Sequence, residues 1–382
     1  MTASETIFTN CNVVLPDRTL HGTVVIRDGV IADVSANPSS VQAAIDLEGD
    51  YLIPGLVELH TDNLEHNIKP RPSVLWPIEE AIIAHDAQMA SSGVTTVLDA
   101  LSVGDTQRKG FRSQLLPKAV EIISEVAQND RLRAEHCLHL RCEVTDGDMI
   151  ELLEPHADNP HVRLVSITDH TPGQRQWVDI QKYRHRNKMR LGLSDAEVDV
   201  LVAQKRDDQA RYAAPNRKAV LELLGRRPLP LATHDDTTIA DVDDAAFIGA
   251  TISEFPTTEN AAAAARKRGL SIVMGAPNIV LGGSHSGNVS ASELAAKGHL
   301  DILSSDYVPA SLIQACWMLH RAQSIPLHAV VAFVTANPAG SVGLTDRGSI
   351  VVGLRADLVR VHAAPDRPPA VRASWRTGRR IA

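Results

Sequence analysis

Short apolar segments alternate with helix-forming segments from about residue 55 to about residue 340 of this 382-residue chain. This alternation predicts an α/β fold, and a (β/α)8 barrel is the version that the number of segments favours. Periodicity alone leaves a doubly wound sheet open. The predicted strands are Leu56–His60, Val94–Ala100, Cys137–Val144, Val162–Thr168, Leu229–His234, Thr251–Phe255, Ser271–Gly275 and Asp301–Ser305. The predicted helices between them include Glu79–Ser91, Ser113–Ala127, Asn260–Arg268 and Ala310–Ala322.

Both ends of the chain are rich in β-branched runs broken by turns. The step Asp28-Gly29 between two such runs is typical of a hairpin. We therefore expect residues 1–54 and 343–382 to form one small β-sandwich domain, with the barrel over 55–342. A long, charged and helix-prone stretch at about 171–228 interrupts the barrel pattern, and we interpret it as an insertion over the barrel mouth.

Composition excludes several classes of protein. A net charge of −8 and a pI near 6.0 argue against a nucleic-acid or anionic-membrane binder. The sequence contains neither a secretory signal nor an apolar run long enough for a membrane span. The 4 cysteines form no CxxC pair, which is typical of reduced thiols and predicts a cytoplasmic protein. The oligomeric state stays open, with a homodimer among the options.

Histidines and carboxylates follow the predicted strands where those strands end. Since the carboxyl ends of barrel strands meet at one face, we expect these side chains to converge. Three imidazoles and three carboxylates suit Zn²⁺ first, with Mn²⁺ or Fe²⁺ as alternatives, and six groups exceed the needs of one tetrahedral ion. The sequence therefore predicts two divalent ions per chain. The predicted ligands are His60, Asp62, Glu143, His170, His234 and Asp306.

Neighbouring residues complete this prediction. His139, Arg141 and Glu143 alternate along one strand and are expected on one face. Whether His139 binds an ion directly or supports a ligand stays open. Asp169, Asp235 and Asp236 are interpreted as capping carboxylates or as partners of the ligands.

Four strings carry a resemblance to a known family. "LIPGLVELHTD" (52–62), "DILSSDY" (301–307), "TANPA" (335–339) and "GSIVVGLRADLV" (348–359) resemble the amidohydrolase superfamily. The resemblance implies a barrel, a β-domain shared by both termini, and Asp306 as the catalytic base that takes a proton from water. The first strand departs from the superfamily's usual His-x-His because Asp62 replaces the second histidine, and Glu143 replaces its bridging lysine. An extra carboxylate favours harder ions such as Mn²⁺.

Longer strings narrow the resemblance. "GLVELHTDNLEHNIKPRP" (55–72), "DHTPGQRQ" (169–176), "EFPTTENAAAA" (254–264) and "MGAPNIVLGGSHSGNVSA" (274–291) resemble the diphosphatases of the carbon–phosphorus lyase pathway of phosphonate catabolism. This implies hydrolysis of a phosphorylated ribose phosphonate, from its 5-triphosphate to the 5-phosphate plus pyrophosphate. The alternative is a metal-dependent hydrolase of a carbon centre, such as a deacetylase, a cyclic amidase or a deaminase.

A triphosphate requires fixed cations although the chain is acidic overall. The charged insertion supplies Arg175, Lys182 and Arg184, and the third strand supplies Arg141. A glycine-rich loop before a helix near Ser290 is expected at the phosphonate or ribose end of the substrate. The loop residues predicted to bind substrate are Ser284, His285, Ser286 and Asn288.

Overall fold

The computed structural model describes residues 5–71, 73–105, 110–284 and 287–382. Its strands are β1 Glu5–Val14, β2 Thr19–Arg27, β3 Val30–Ala36, β4 Ile45–Asp46, β5 Tyr51–Pro54, β6 Leu56–Thr61, β7 Val94–Val103, β8 Glu135–Glu143, β9 Val162–Thr168, β10 Leu231–His234, β11 Ile252–Glu254, β12 Ser271–Gly275, β13 Ile302–Ser304, β14 Leu358–His362, β15 Ala370–Arg376 and β16 Arg379–Arg380.

Helices follow most of the barrel strands. They are α1 Asn63–Ile68, α2 Ile78–Ser91, α3 Phe111–Gln128, α4 Met149–Leu153, α5 Ile180–Leu191, α6 Asp195–Arg226, α7 Ile239–Phe247, α8 Glu259–Lys267, α9 Ala276–Val280, α10 Ala291–Ala296, α11 Ser311–Gln323, α12 Leu327–Ala332 and α13 Ala336–Ser341. Short 3-10 turns cover Glu154–His156 and Arg175–Trp177. Within the described ranges, every helix is too short or too polar to cross a bilayer.

The first sheet is built from both termini, as the sequence predicts. Its order is β16–β15–β14–β5–β1–β2–β3, and β4 pairs with β1. Most neighbours are antiparallel, but β4 and β5 run parallel to β1. The predicted hairpin between β2 and β3 is confirmed, with φ of 49° at Asp28 and 80° at Gly29. Phe8 and Trp375 pack at the centre of its core, with ring centroids 4.6 Å apart.

The second sheet contains eight strands in the order β6–β7–β8–β9–β10–β11–β12–β13. The register between neighbouring strands is parallel, as in β8–β9, β9–β10 and β10–β11. A parallel bridge between Thr61 and Asp306 joins the end of β6 to the residues after β13, so the two edge strands meet. The predicted (β/α)8 barrel is confirmed, and β9 and β12 begin and end where the sequence places them.

The chain groups into two compact units. Unit 1 contains Met1–Asp99, Ile122–Cys137 and Met274–Ala382, and unit 2 contains Ala100–Glu121 and Leu138–Val273. The domain boundaries expected from the sequence, at 54/55 and 342/343, differ from the boundaries of these two units. The expected domains therefore stay a prediction.

The charged stretch in unit 2 folds as two helices. Asp179 caps α5 by accepting the backbone N–H groups of Gln181 and Lys182, and Ser194 with Glu197 forms a capping box at the start of α6. Gly192, with φ of 67°, ends α5. The small core between the two helices contains the buried residues Tyr183, Val198 and Val202. The position of this pair over the barrel mouth stays a prediction.

Candidate metal centre

The part of strand β8 that belongs to unit 2 presents the alternating residues His139, Arg141 and Glu143. All three are buried. In a strand, residues two apart share a face, so a single strand places an imidazole, a guanidinium and a carboxylate together, as the spacing predicts.

Glu143 orients the predicted ligand His170. Its Oε2 lies 2.5 Å from Nδ1 of the His170 ring, and its Oε1 accepts the hydroxyl of Thr145 at 2.6 Å. Burial raises the pKa of the Glu143 carboxyl, but the His170 charge and the hydrogen bonds from His170 and Thr145 together outweigh it, so the pKa is lowered overall. A carboxylate on one ring nitrogen fixes the tautomer and directs the other nitrogen, Nε2, towards an ion.

His170, His234 and Asp235 form a group whose potential ligand atoms lie within 4.8 Å of one another. The two imidazole rings have centroids 5.9 Å apart, and His234 Nδ1 lies 2.8 Å from Asp235 Oδ2. Burial lowers the pKa of His234, but the Asp235 carboxylate more than compensates, so the pKa is raised. Burial raises and the His234 charge lowers the pKa of Asp235, with a net lowering. The donor types and spacing of this group fit a divalent ion.

Three barrel strands are each followed by a non-glycine residue with positive φ. Asp235, Phe255 and Asp306 follow β10, β11 and β13, and their φ angles are 58°, 53° and 54°. Non-glycine residues rarely adopt positive φ, and such strain persists where surrounding contacts fix it. The turn after each strand therefore directs a side chain in a way that an unstrained turn would not.

Arg175 contacts the protein itself at the end of β10. Its Nη1 donates to the carbonyl of His234 at 2.9 Å and to Asp236 Oδ1 at 2.8 Å. The other oxygen of Asp236 accepts the hydroxyls of Thr233 and Ser253. Burial lowers the pKa of Arg175, but the nearby carboxylates have the larger effect, so the pKa is raised overall. Arg175, which the sequence predicts to bind phosphate, thus also holds the backbone of the predicted metal ligand His234.

Glu254 is a buried carboxylate that the sequence interpretation missed. Its Oε2 lies 3.9 Å from Nε2 of His139, which also contacts Ser166 Oγ at 2.9 Å. Glu254 pairs in register with His234. The signal was present, because Glu254 ends its strand at the same level as His234 ends the neighbouring one.

In unit 1, the ends of β6 and β13 are joined by backbone hydrogen bonds among the predicted site residues. Asp306 N donates to the His60 carbonyl at 3.2 Å, and Asp62 N donates to the Asp306 carbonyl at 2.6 Å. His60 is buried, and Asp62 and Asp306 are partly exposed. The structure therefore brings His60, Asp62 and Asp306 together within this unit.

Glu58 is a second residue that the sequence interpretation missed. Its two oxygens accept the backbone N–H groups of His60 and Ser305, both at 2.7 Å. Burial raises its pKa to about 7, although these hydrogen bonds oppose the rise. One carboxylate thus links the segment that carries His60 to the segment that carries Asp306.

The other predicted substrate contacts lie in varied surroundings. Arg184 forms ion pairs with Asp199 and Asp195 of α6, whereas Lys182 is exposed on α5. Ser284 and Asn288 are partly exposed. His285 and Ser286 lie outside the described residues. The helix after this loop, α10, has only 6 residues and no side-chain cap, so it adds little to an anion site.

Comparison with known proteins identifies the family. Residues 81–382 match the model of the amidohydrolase family. The chain belongs to this family. It is 44% identical over 377 residues to the α-D-ribose 1-methylphosphonate 5-triphosphate diphosphatase of Escherichia coli (strain K12). The matched region covers 98% of this chain and 100% of the diphosphatase.

Solved structures of low identity share the fold. The dihydropyrimidinase from Brevibacillus agri NCHU1002 has a TM-score of 0.62 at 13% identity and covers 99% of this chain and 95% of its own. The N-acetyl-D-glucosamine-6-phosphate deacetylase from Mycobacterium smegmatis has a TM-score of 0.63 at 16% identity, covering 99% of this chain and 100% of its own. These similarities support the barrel with its additional sheet.

Proposed function

We propose that this protein is a metal-dependent diphosphatase that hydrolyses α-D-ribose 1-methylphosphonate 5-triphosphate to the 5-phosphate and pyrophosphate. The observation that carries the proposal is the 44% identity to the Escherichia coli diphosphatase, which extends over 98% of this chain and 100% of that protein. The proposal includes a place in phosphonate catabolism. The 4 cysteines are buried as thiols, which further supports a cytoplasmic location.

The proposed metal ligands are side chains at or just after the carboxyl ends of barrel strands. In unit 2, His170, His234 and Asp235 have the spacing of a ligand set, and Glu143, which was predicted as a ligand, holds His170. In unit 1, the proposed ligands are His60, Asp62 and Asp306. When bound, two divalent ions would lower the pKa of a water molecule and neutralise charge on the phosphoryl oxygens. Zn²⁺ is the first choice because imidazoles contribute half of the predicted set.

Asp306 is the proposed catalytic base. Its carboxylate would accept a proton from the attacking water and pass it to the leaving pyrophosphate. The backbone on both sides of this carboxylate is fixed, because Asp306 N donates to His60 and its carbonyl accepts Asp62 N and the Thr61 hydroxyl. A fixed base needs little reorganisation when water attacks.

Anion binding is proposed for Arg141, Arg175, Lys182 and Arg184, with Ser284, His285, Ser286 and Asn288 at the opposite end of the substrate. Arg141 carries the most weight, because it is buried on β8 between His139 and Glu143. Its positive charge opposes protonation of His234, which supports a place for Arg141 beside the proposed ligands. A guanidinium in this position suits a phosphoryl oxygen.

A ³¹P NMR experiment tests the proposed reaction. Metal-loaded protein is incubated with α-D-ribose 1-methylphosphonate 5-triphosphate, and pyrophosphate with the 5-phosphate should appear in equal amounts. Release of orthophosphate would contradict the proposed diphosphatase. No cleavage, together with turnover of an N-acetylated sugar phosphate or a cyclic amide, would favour the alternative that the protein acts on a carbon centre.

A further inference from the structure

A buried chain of polar side chains in unit 1 lies beside the segment that carries Asp62. His85 on α2, Asp99 on β7 and His136 on β8 are all buried. His85 Nε2 lies 2.9 Å from Asp99 Oδ1, and His136 Nδ1 lies 2.7 Å from Asp99 Oδ2. One carboxylate therefore connects two imidazoles. None of these three residues has a role in the proposed hydrolysis.

The hydrogen-bonded chain of side chains begins at Asn63, the residue after Asp62. The side-chain amide of Asn63 donates to His85 Nδ1 at 2.9 Å and to Gln88 Oε1 at 2.8 Å. Because the amide nitrogen is a donor, His85 Nδ1 must accept, so His85 Nε2 carries the proton that is donated to Asp99. The hydrogen bonds thus select one tautomer of His85.

The other end of this hydrogen-bonded chain, at Asp86, is held by backbone N–H groups. His136 Nε2 lies 3.4 Å from Asp86 Oδ1, and the Asp86 carboxylate accepts the N–H groups of Arg133 and Ala134 at 3.0 and 2.9 Å. With a carboxylate at each ring nitrogen, His136 donates twice and is an imidazolium. Burial lowers its pKa, but Asp99 and Asp86 outweigh this and raise the pKa to about 9. The donors and acceptors are complementary along the whole chain.

Asn63 is also tied to the proposed metal centre of unit 1. Its backbone N–H donates to Thr61 Oγ1 at 3.2 Å, and Thr61 Oγ1 donates to the Asp306 carbonyl at 3.1 Å. Asp62 lies between these two residues, and its N–H donates to the same carbonyl. The backbone on each side of Asp62 is therefore restrained, through Thr61 before it and through Asn63 after it.

We propose that Asp99 is a positioning residue, which acts through His85 and Asn63 to hold Asp62 in the orientation that binds a metal ion. The proposal rests on the proposed role of Asp62 as a ligand. Partners of metal ligands outside the coordination shell typically change metal affinity by about 10- to 100-fold. Asp99 acts through two intermediates, so we expect the lower end of this range.

The test measures Zn²⁺ affinity by competition with a chromophoric chelator, with Zn²⁺ as the only probe. Asp99→Asn should weaken the affinity about tenfold, because an amide cannot accept from both imidazoles. Asn63→Ala should weaken it by a similar factor while leaving His85, Asp99 and His136 in place. The double variant should be no weaker than either single variant, since both changes interrupt the same chain.

A matched control is Asp357→Asn in the same unit. Asp357 is buried, accepts the Thr377 N–H at 2.7 Å and pairs with Arg355 at 3.0 Å. The Asp357→Asn variant should be less stable than the native protein but should bind Zn²⁺ with unchanged affinity. Equal losses of affinity in Asp99→Asn and Asp357→Asn, or additive losses in the double variant, would overturn the proposal.

A spectroscopic readout distinguishes positioning from general destabilisation. In the native protein the ¹⁵N signals of His136 should be those of an imidazolium at pH 7.5, and Asn63→Ala should leave them unchanged while Zn²⁺ affinity falls. Neutral imidazole signals for His136 would overturn the proposed chain. Full Zn²⁺ affinity in Asp62→Ala would overturn this proposal and the assignment of Asp62 as a ligand. Turnover of a different substrate would overturn only the proposed function, provided that Asp99→Asn and Asn63→Ala still weaken Zn²⁺ binding non-additively.

Discussion

Glu143 Oε2 and His170 Nδ1 lie 2.5 Å apart, so the carboxylate that ends β8 holds the imidazole that follows β9. The sequence interpretation treated both residues as equivalent ligands. Their contact supports the proposal that only His170 is a ligand, because a nitrogen that donates to a carboxylate cannot bind an ion, whereas the opposite nitrogen of the same ring can. The following expectations depend on such distinctions between ligands and the residues that support them.

Glu143→Gln should weaken Zn²⁺ binding about 10- to 100-fold, because the neutral amide is a poorer acceptor for His170. His170→Ala should weaken it more, since it removes the proposed ligand. The measurement is chelator competition with purified protein. Glu135→Gln, at the opposite end of the same strand, serves as the control, because Glu135 pairs with Arg347 and Arg355. A Glu143→Gln variant with native affinity would show that the contact does not support the ligand.

Asp306→Asn should lower kcat by about 10²- to 10⁴-fold while metal content stays nearly native. Asparagine tolerates the positive φ of Asp306, so the backbone turn should persist. Pyrophosphate release and metal content are measured on the same preparation. The exposed Asp33 on β3 gives a control, and Asp33→Asn should retain full kcat. Activity above one tenth of the native value would remove Asp306 as the base.

Arg175→Ala should lower the free energy of unfolding by about 3–5 kcal/mol, because it leaves the Asp236 charge buried without its cation. Urea denaturation measures the loss. The double variant Arg175→Ala with Asp236→Asn should recover part of it, since the unpaired charge is then absent. No recovery would mean that the loss comes from packing. A rise in KM for the triphosphate would support the additional role of Arg175 in phosphate binding.

The stability of the native protein should fall as the pH rises towards 10, and His136 should account for part of the fall. Its pKa is raised from about 6.5 in the unfolded chain to about 9 in the folded one. The imidazolium therefore stabilises the fold fully below pH 6.5, and its contribution, about 3 kcal/mol, is lost as the pH passes 9.

His136→Asn provides the comparison for this pH dependence. Unfolding by urea is followed from pH 6.5 to pH 10 for both proteins, so that other titrating groups cancel in the difference. The curve of the variant should be flatter between pH 7 and pH 9.5. Parallel curves would show that His136 has the same proton affinity in both states.

The sequence was sufficient to predict the barrel, because each strand is a short apolar run and each run is followed by a helix. The additional sheet was also predictable, since both termini carry the same strand-and-turn pattern. The bounds of β7 and β8 were less accurate. β7 extends to Val103, and β8 begins at Glu135, because pairing with neighbouring strands extends both beyond their most apolar residues.

The candidate site was predictable in its residue types more than in its roles. Position at a strand end identified His170 and His234, but no local pattern distinguishes a ligand from its support. Glu58 was missed because a carboxylate inside an apolar run has no neighbour in sequence that reveals its partner. Glu254 was missed although it ends β11 at the level of His234. Arg175 was predicted only as a phosphate contact, since its partner Asp236 lies 61 residues further along the chain.

Anomalous diffraction at the zinc edge, from crystals of the metal-loaded protein, tests the central claim most directly. We predict two peaks per chain: one with His170 Nε2 and a ring nitrogen of His234 about 2.0–2.1 Å from the ion, and one beside His60, Asp62 and Asp306. A fully loaded protein whose peaks lie away from all of these side chains would contradict the account.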